Sequence, residues 1–204
     1  MLTTMTQRLK YYTENSDHCV ITDKQSKAAV FLLLHGDPSD PLIILTRRAN
    51  HLKNHAGEVA FPGGMKEGHD IDLLATALRE TEEEIGLSSS KIKFLGRLPA
   101  DSPLTNNIRV TPFIGWVDSP YSLNLNPNEI DAVFNLPLSF LLDINHYQYF
   151  YLEEGKIQLP YVRYEEYKIW GFTLKVMVDM LNTLLDADIQ LLYPSSNELE
   201  RSGY

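Results

Sequence analysis

Apolar residues fall in short blocks along this chain, separated by turn residues, and in three places they recur at helical spacing. Residues 28–35 and 42–48 flank Gly36-Asp37-Pro38-Ser39-Asp40-Pro41, which predicts a β-hairpin with a six-residue loop. Residues 91–98, 109–117 and 130–136 read as further strands. Residues 148–152 and 156–159 flank Glu153-Glu154-Gly155, a second hairpin signal, and 161–169 continue the sheet. Leu2, Met5, Leu9 and Tyr12 predict an opening helix, and Trp170, Leu174, Met177, Val178, Leu181, Leu184 and Leu185 a closing one. Strands interleaved with helices give a mixed α/β domain with helices packed on a sheet. No repeat or linker divides the chain, so residues 1–204 are expected to form a single domain.

Between Asp70 and Gly86 lies a further helix, with Asp70 expected as its N-cap and Gly86 at its end. At about 100° per residue, Ile71, Leu74, Ala75, Leu78 and Ile85 form an apolar stripe that should pack on the sheet. Glu80, Glu83 and Glu84 then share the opposite face, while Glu82 falls on the apolar side without a chemical role. Neighbouring carboxylates repel, and acids near a helix C-terminus oppose the macrodipole. A hard divalent cation resolves that conflict; a solvated acidic face tolerates it. Arg79 can pair with the cluster and fix its rotamers. Upstream, Phe61-Pro62-Gly63-Gly64 reads either as an ordinary turn or as a backbone that approaches a ligand and offers a carbonyl to a metal.

Composition narrows the setting. Apolar residues make up 44% and charged residues 22%, which excludes a disordered chain or a disulfide-stapled mini-protein. The longest apolar run is seven residues, 28–34, against the twenty or so that a membrane span needs. Arg8 and Lys10 precede no apolar stretch, so a secretory signal is not expected. The single cysteine, Cys19, fits a reduced cytoplasmic setting. A net charge of −9 makes a poor non-specific nucleic-acid binder. Residues 41–57 nevertheless contain no acid, and Arg47, Arg48 and Lys53 lie there with His51 and His55. Such a patch on an acidic protein fits either a specific anionic ligand or chance clustering on a solvated loop.

Gly64 and then Arg79-Glu80-x-x-Glu83-Glu84-x-Gly86-Leu87 resemble the Nudix box, G-x5-E-x7-R-E-U-x-E-E-x-G-U, over about residues 64–87. The second half matches if Thr81 stands at a usually apolar position; Gly64 to Arg79 is fifteen positions instead of fourteen, and Asp70 is the nearest acid to the first box glutamate. Ile44-Leu45-Thr46-Arg47-Arg48-Ala49, Lys53, Gly57 and Phe61-Pro62-Gly63-Gly64 resemble L-L-T-x-R-S/A-x3-R-x3-G-x3-F-P-G-G, the signature of the coenzyme A pyrophosphatase branch, with Ile44 and Lys53 as conservative departures. The longer spacing is typical of that branch. Asn126-Pro127-Asn128-Glu129-Ile130 and Ile169-Trp170-Gly171 look like its weaker C-terminal signatures.

The resemblance implies an α/β/α sandwich with a mixed sheet and a loop–helix–loop box. It implies hydrolysis of the pyrophosphate of coenzyme A and its derivatives, giving 3′,5′-ADP and 4′-phosphopantetheine or its acyl form. Mg²⁺ or Mn²⁺ would be held by Glu80, Glu84 and Glu83, with the carbonyl of Gly63 or Gly64. Arg79 would hold the carboxylates, and the base would come from Glu83, Glu129 or Asp131. Arg48 and Lys53 would bind the substrate's anions, and Phe61 would line a pocket or the core. His51 and His55 are expected at the surface. The alternatives are a Nudix enzyme acting on ADP-ribose or another nucleoside diphosphate derivative, and a catalytically silent Nudix-fold sensor. Intact Arg79, Glu80, Glu83 and Glu84 argue against the sensor.

Overall fold

Two strands that begin paired and then part company organise this molecule. The computed structural model describes residues 1–15, 26–103, 108–152 and 157–194. After helix α1 (Leu2–Asn15), β1 (Ser26–Asp37) and β2 (Asp40–Arg48) form an antiparallel hairpin. Both strands run further into the turn than the sequence implied: Asp37 pairs with Asp40, leaving only Pro38 and Ser39 between them. Asp37 Oδ1 accepts from Ser39 N at 2.8 Å, the local side-chain bond that closes such turns.

The hairpin pairing runs from Asp37 back to Leu33, opposite Ile44. Beyond it β1 pairs with β4 (Gly63–Met65), while β2 pairs with β3 (Val59–Ala60). Phe31 N donates to Pro62 O at 2.8 Å. The Phe61–Gly64 segment is thus seated where the two strands diverge. On its other side β1 runs parallel to β6 (Arg109–Val117), which pairs antiparallel with β5 (Ile92–Arg97). β7 (Ile130–Pro137) pairs with β2. The result is a mixed seven-stranded sheet.

Alternation along the strands gives the sheet two apolar faces. Ala29, Phe31, Leu33, Ile44 and Phe113 pack beneath helix α2 (Leu73–Ile85). Leu32, Leu34, Ile43, Leu45 and Ile114 pack with Met5 and Leu9 of α1, and with Leu174, Met177 and Leu181 of the closing helix. After the short α3 (Leu138–Leu142), strands β8 (Tyr147–Leu152), β9 (Ile157–Tyr164) and β10 (Tyr167–Trp170) precede that closing helix, α4 (Gly171–Leu185). These strands form a separate three-stranded sheet; they do not extend the main one. Glu165 and Glu166 interrupt the expected continuous segment as a turn. Cys19, the Glu153–Gly155 turn and Lys156 lie outside the described residues. No described helix is long and apolar enough to cross a membrane.

Candidate active site

Helix α2 begins two residues later than the sequence indicated. Asp72, not Asp70, is the N-cap, accepting from Ala75 N at 2.8 Å. Gly86 ends the helix in the left-handed conformation, as its position implied. The apolar stripe also requires correction. Ile71 lies outside the helix and is 89% exposed, whereas the buried positions are Leu73, Thr76, Ala77, Thr81, Glu84 and Ile85. Two threonines can face inward because their hydroxyls have partners: Thr76 Oγ1 donates to Asp70 Oδ2 at 3.0 Å and Thr81 Oγ1 to Ala77 O at 2.7 Å.

This rotation turns Glu84 toward the protein. Far from facing solvent opposite the buried stripe, it is 3% exposed. Its Oε2 accepts from Gly63 N at 3.2 Å. Burial pushes its carboxyl up to about 8; the Gly63 N–H opposes that shift, the charges of Glu80 and Glu129 add to it, and Arg48 offsets part. Burial also raises the Glu80 carboxyl, against the pull of Arg79. Glu83 differs: its side chain is 54% exposed and accepts from Arg79 Nη1 at 2.8 Å. The helix therefore presents Glu80 and Glu84 inward and Glu83 at the rim. Glu82 is exposed, not on a buried face.

The two glycines fit this arrangement closely. Gly63 has φ +153°, and a Cβ there would lie 2.3 Å from Ala29 O. A Cβ on Gly64 would lie 2.3 Å from Glu80 Oε1. The backbone of β4 thus lies directly against both inward carboxylates.

Asp70, displaced from the capping role, is a buried partner of Arg79. It accepts from Arg79 Nε and Nη2, from Glu67 N at 2.8 Å, and from Thr76. Arg79 foremost, then the Glu67 N–H, holds its carboxyl well below the usual range. Asp70 in turn raises the Arg79 guanidinium.

A loop between β6 and β7 closes the far end of α2. Asn124 N donates to Ile85 O at 2.8 Å and Asn126 N to Glu84 O at 2.9 Å, satisfying carbonyls that a helix end leaves free. Asn126 Nδ2 also donates to Glu129 Oε1 at 3.2 Å. Glu129 acts electrostatically on both Glu80 and Glu84, which places it among the site carboxylates. Asn126 stands in the weaker C-terminal signature, but its link to the end of the helix through Glu84 O is visible only in the fold. Asp131 is engaged elsewhere: its Oδ2 accepts from Asn50 N at 3.0 Å and from Asn50 Nδ2 at 2.6 Å.

Of the cationic residues, Arg48 acts on Glu84, and its buried Nε has no hydrogen-bond partner. Lys53 and His51 are exposed, as is His55, whose Nδ1 lies 3.0 Å from Glu58 Oε2. Phe61 is 3% exposed and belongs to the core cluster on the α4 face. Of its two expected roles the structure supports the core and not a pocket wall beside the carboxylates.

Among the described residues, no three His, Cys, Asp or Glu side chains form a metal-holding group. The donor set is Glu80, Glu84 and the adjoining Gly63–Gly64 backbone, with Glu83 turned toward Arg79. Mg²⁺ is commonly held by one or two carboxylates together with water and substrate phosphate oxygens, and not by an all-protein cage. Two inward-facing acids, both shifted toward neutrality chiefly by burial, fit such an ion.

A family model described as NUDIX domain matches residues 24–152. The chain is 37% identical over 161 residues to the Uncharacterized Nudix hydrolase NudL of Photorhabdus laumondii, spanning 77% of this chain and 84% of that protein. It is 38% identical over 154 residues to the protein of the same name from Yersinia pestis, spanning 74% and 76%. Among solved structures, a MutT/nudix family protein from Enterococcus faecalis matches with a TM-score of 0.55 at 14% identity, over 88% of this chain and 73% of that one. At that identity the likeness speaks for the fold alone. The α/β/α layering, the box geometry and these matches agree: the chain belongs to the Nudix hydrolase family.

Proposed function

We propose that this protein, as one Nudix domain, hydrolyses the pyrophosphate of coenzyme A and its derivatives to 3′,5′-ADP and 4′-phosphopantetheine or its acyl derivative. One observation carries the reading. Arg48, from the upstream signature, acts on Glu84 of the box, and the Gly63–Gly64 segment that ends the signature lies against both inward carboxylates. Residues from both resemblances thus lie together at the carboxylates, which supports a single site. A silent sensor would have no use for two inward-facing acids that repel each other.

The reaction needs charge neutralisation at phosphorus and an oriented water. Mg²⁺ or Mn²⁺, held by Glu80, Glu84 and a carbonyl of Gly63 or Gly64, would supply Lewis acidity and lower the pKa of water. Arg48 would take a non-bridging pyrophosphate oxygen; a guanidinium without a protein partner is free to do so. Arg79, anchored on Asp70, would hold Glu80 and Glu83 in register. Glu129, tethered by Asn126, would accept the proton from the attacking water, and Glu83 is the other candidate base. Lys53, exposed on the loop after β2, would meet the substrate as a point charge at the rim.

The test is a ranking of kcat/KM with Mg²⁺ or Mn²⁺ for coenzyme A, acetyl-coenzyme A, dephospho-coenzyme A, ADP-ribose and NADH. The proposal expects the coenzyme A compounds to lead. ADP-ribose ahead of all of them would replace this reading with the broader nucleoside diphosphate one.

A further inference from the structure

Strands β2 and β7 keep one register from Leu42 opposite Pro137 to Arg47 opposite Ala132, so the next pair should be Arg48 with Asp131. Instead Arg48 pairs with Ile130, and Asp131 is an extra residue on β7. Beyond the slip the ladder continues, with Ala49 N donating to Glu129 O at 2.8 Å. Directly opposed residues of an antiparallel pair share a face, with Cβ atoms about 5 Å apart. The regular register would therefore set a carboxylate beside the Arg48 guanidinium, and opposite charges so placed pair. Irregularities of this kind re-aim side chains near functional sites.

Asn50 takes the carboxylate that the slip displaces. Asp131 Oδ2 accepts from Asn50 N at 3.0 Å and from Asn50 Nδ2 at 2.6 Å. Gly57, at φ +71°, runs close against this amide: a Cβ there would lie 2.8 Å from Asn50 Oδ1. The loop after β2 thus folds back onto the Asn50 side chain. Arg48, for its part, makes no ion pair and no side-chain hydrogen bond with any described residue, and its Nε is buried. Its strand register offers it an acid, and the structure hands that acid to an amide two residues on.

We infer that Asn50 is a positioning residue for Arg48: it holds the Asp131 carboxylate away from the guanidinium, so that Arg48 stays unpaired for an anionic oxygen of the substrate. The inference rests on the role proposed above for Arg48, and not on which nucleoside diphosphate derivative is cleaved. The upstream signature leaves position 50 unspecified, and Asp131 follows the C-terminal one, so the resemblance assigns this role to neither residue.

The experiment measures KM and kcat at low salt and saturating metal for wild type, Asn50→Ala, Asp131→Ala, the double variant and Arg48→Ala. The substrate is whichever compound of the panel above the wild type cleaves best. Asn50→Ala removes the shorter of the two bonds and releases the carboxylate toward Arg48. KM should rise roughly two- to fivefold, the range of an exposed ion pair, with kcat little changed, because the weakened contact serves substrate and transition state alike. Asp131→Ala alone should not raise KM, and the double variant should return it to the wild-type value. A clamp that only shaped the loop would make Asp131→Ala as harmful as Asn50→Ala and leave the double variant equally poor. Either result overturns the inference, as does a wild-type KM in Asn50→Ala. Arg48→Ala should raise KM further than Asn50→Ala; an unchanged KM there removes the anion contact from Arg48, and the inference with it. ADP-ribose emerging as the best substrate overturns the coenzyme A reading alone.

Discussion

Arg79 grips Asp70 with two parallel hydrogen bonds, Nε to Oδ1 and Nη2 to Oδ2, each 3.0 Å long. The remaining nitrogen, Nη1, lies 3.1 Å from Glu80 Oε1 and 2.8 Å from Glu83 Oε2. One guanidinium therefore ties the loop that enters the helix to the acids that line it. Bidentate pairing fixes the plane of the arginine, and through it the acid rotamers.

Asp70→Asn should lower kcat by roughly ten- to a hundredfold, the usual cost of removing a group that orients metal-binding ligands, with a much smaller change in KM. Steady-state kinetics at saturating metal check this; a pure KM effect would place Asp70 in substrate binding instead. The same contact governs acid stability. The Asp70 carboxyl is held below its unfolded value of 3.8, so its contribution is present above that pH and is lost as pH falls toward the depressed folded value. Asp70→Asn should lack that acid limb in thermal melts.

Glu84 has the opposite dependence. Burial raises its carboxyl from 4.5 to about 8, so the folded state holds a proton that the unfolded state has released. Without metal, its contribution is most favourable below about pH 4.5 and declines as pH rises through about 8. Glu84→Gln should therefore gain on wild type in metal-free melts as pH rises across that window, by up to a few kcal/mol. It should also lose roughly a hundredfold or more in turnover. Melting curves that shift in parallel for the two proteins would remove the strain assigned to this residue.

Gly63 and Gly64 should separate stability from activity. Gly63→Ala forces a Cβ into the Ala29 carbonyl at a backbone angle that side chains avoid, and should cost about 1–3 kcal/mol. Gly64→Ala pushes on the flexible end of Glu80 instead, and should leave the fold nearly as stable while lowering kcat. Denaturant titration alongside turnover checks the pair. Equal losses of stability would show that Gly64, like Gly63, serves only the backbone.

Much of this architecture is legible in the chain because local signals agree with tertiary packing. The 109–117 strand, the closing helix and the Gly86 terminus follow directly from period and breaker residues. The orientation of α2 does not. Ile71 sits in the apolar stripe by spacing, yet it precedes the N-cap and is exposed; Thr76, Thr81 and Glu84 are buried because hydrogen bonds satisfy them. A hydrophobicity pattern has no means of registering such compensation. Likewise 161–169 has strand character throughout, but the turn at Glu165 and the split into a second sheet depend on packing against α4. Arg48, Asp70 and Asn126 could be named from their motifs, whereas the two-bond geometry of Asp70 on Arg79 and the tether from Asn126 to Glu84 and Glu129 required the fold.

Glu129 and Glu83 divide the question of the base. Glu129→Gln should lower kcat with little change in KM. Glu83→Gln, changing an exposed carboxylate already engaged by Arg79, should cost less. The reverse order would assign the base to Glu83.

The most direct test is to incubate the purified protein with coenzyme A and Mg²⁺ or Mn²⁺ and identify the products by mass. The account predicts 3′,5′-ADP and 4′-phosphopantetheine in equal amounts, absent when chelator is added and absent with Glu84→Gln. Coenzyme A left intact under conditions in which ADP-ribose is cleaved would contradict it.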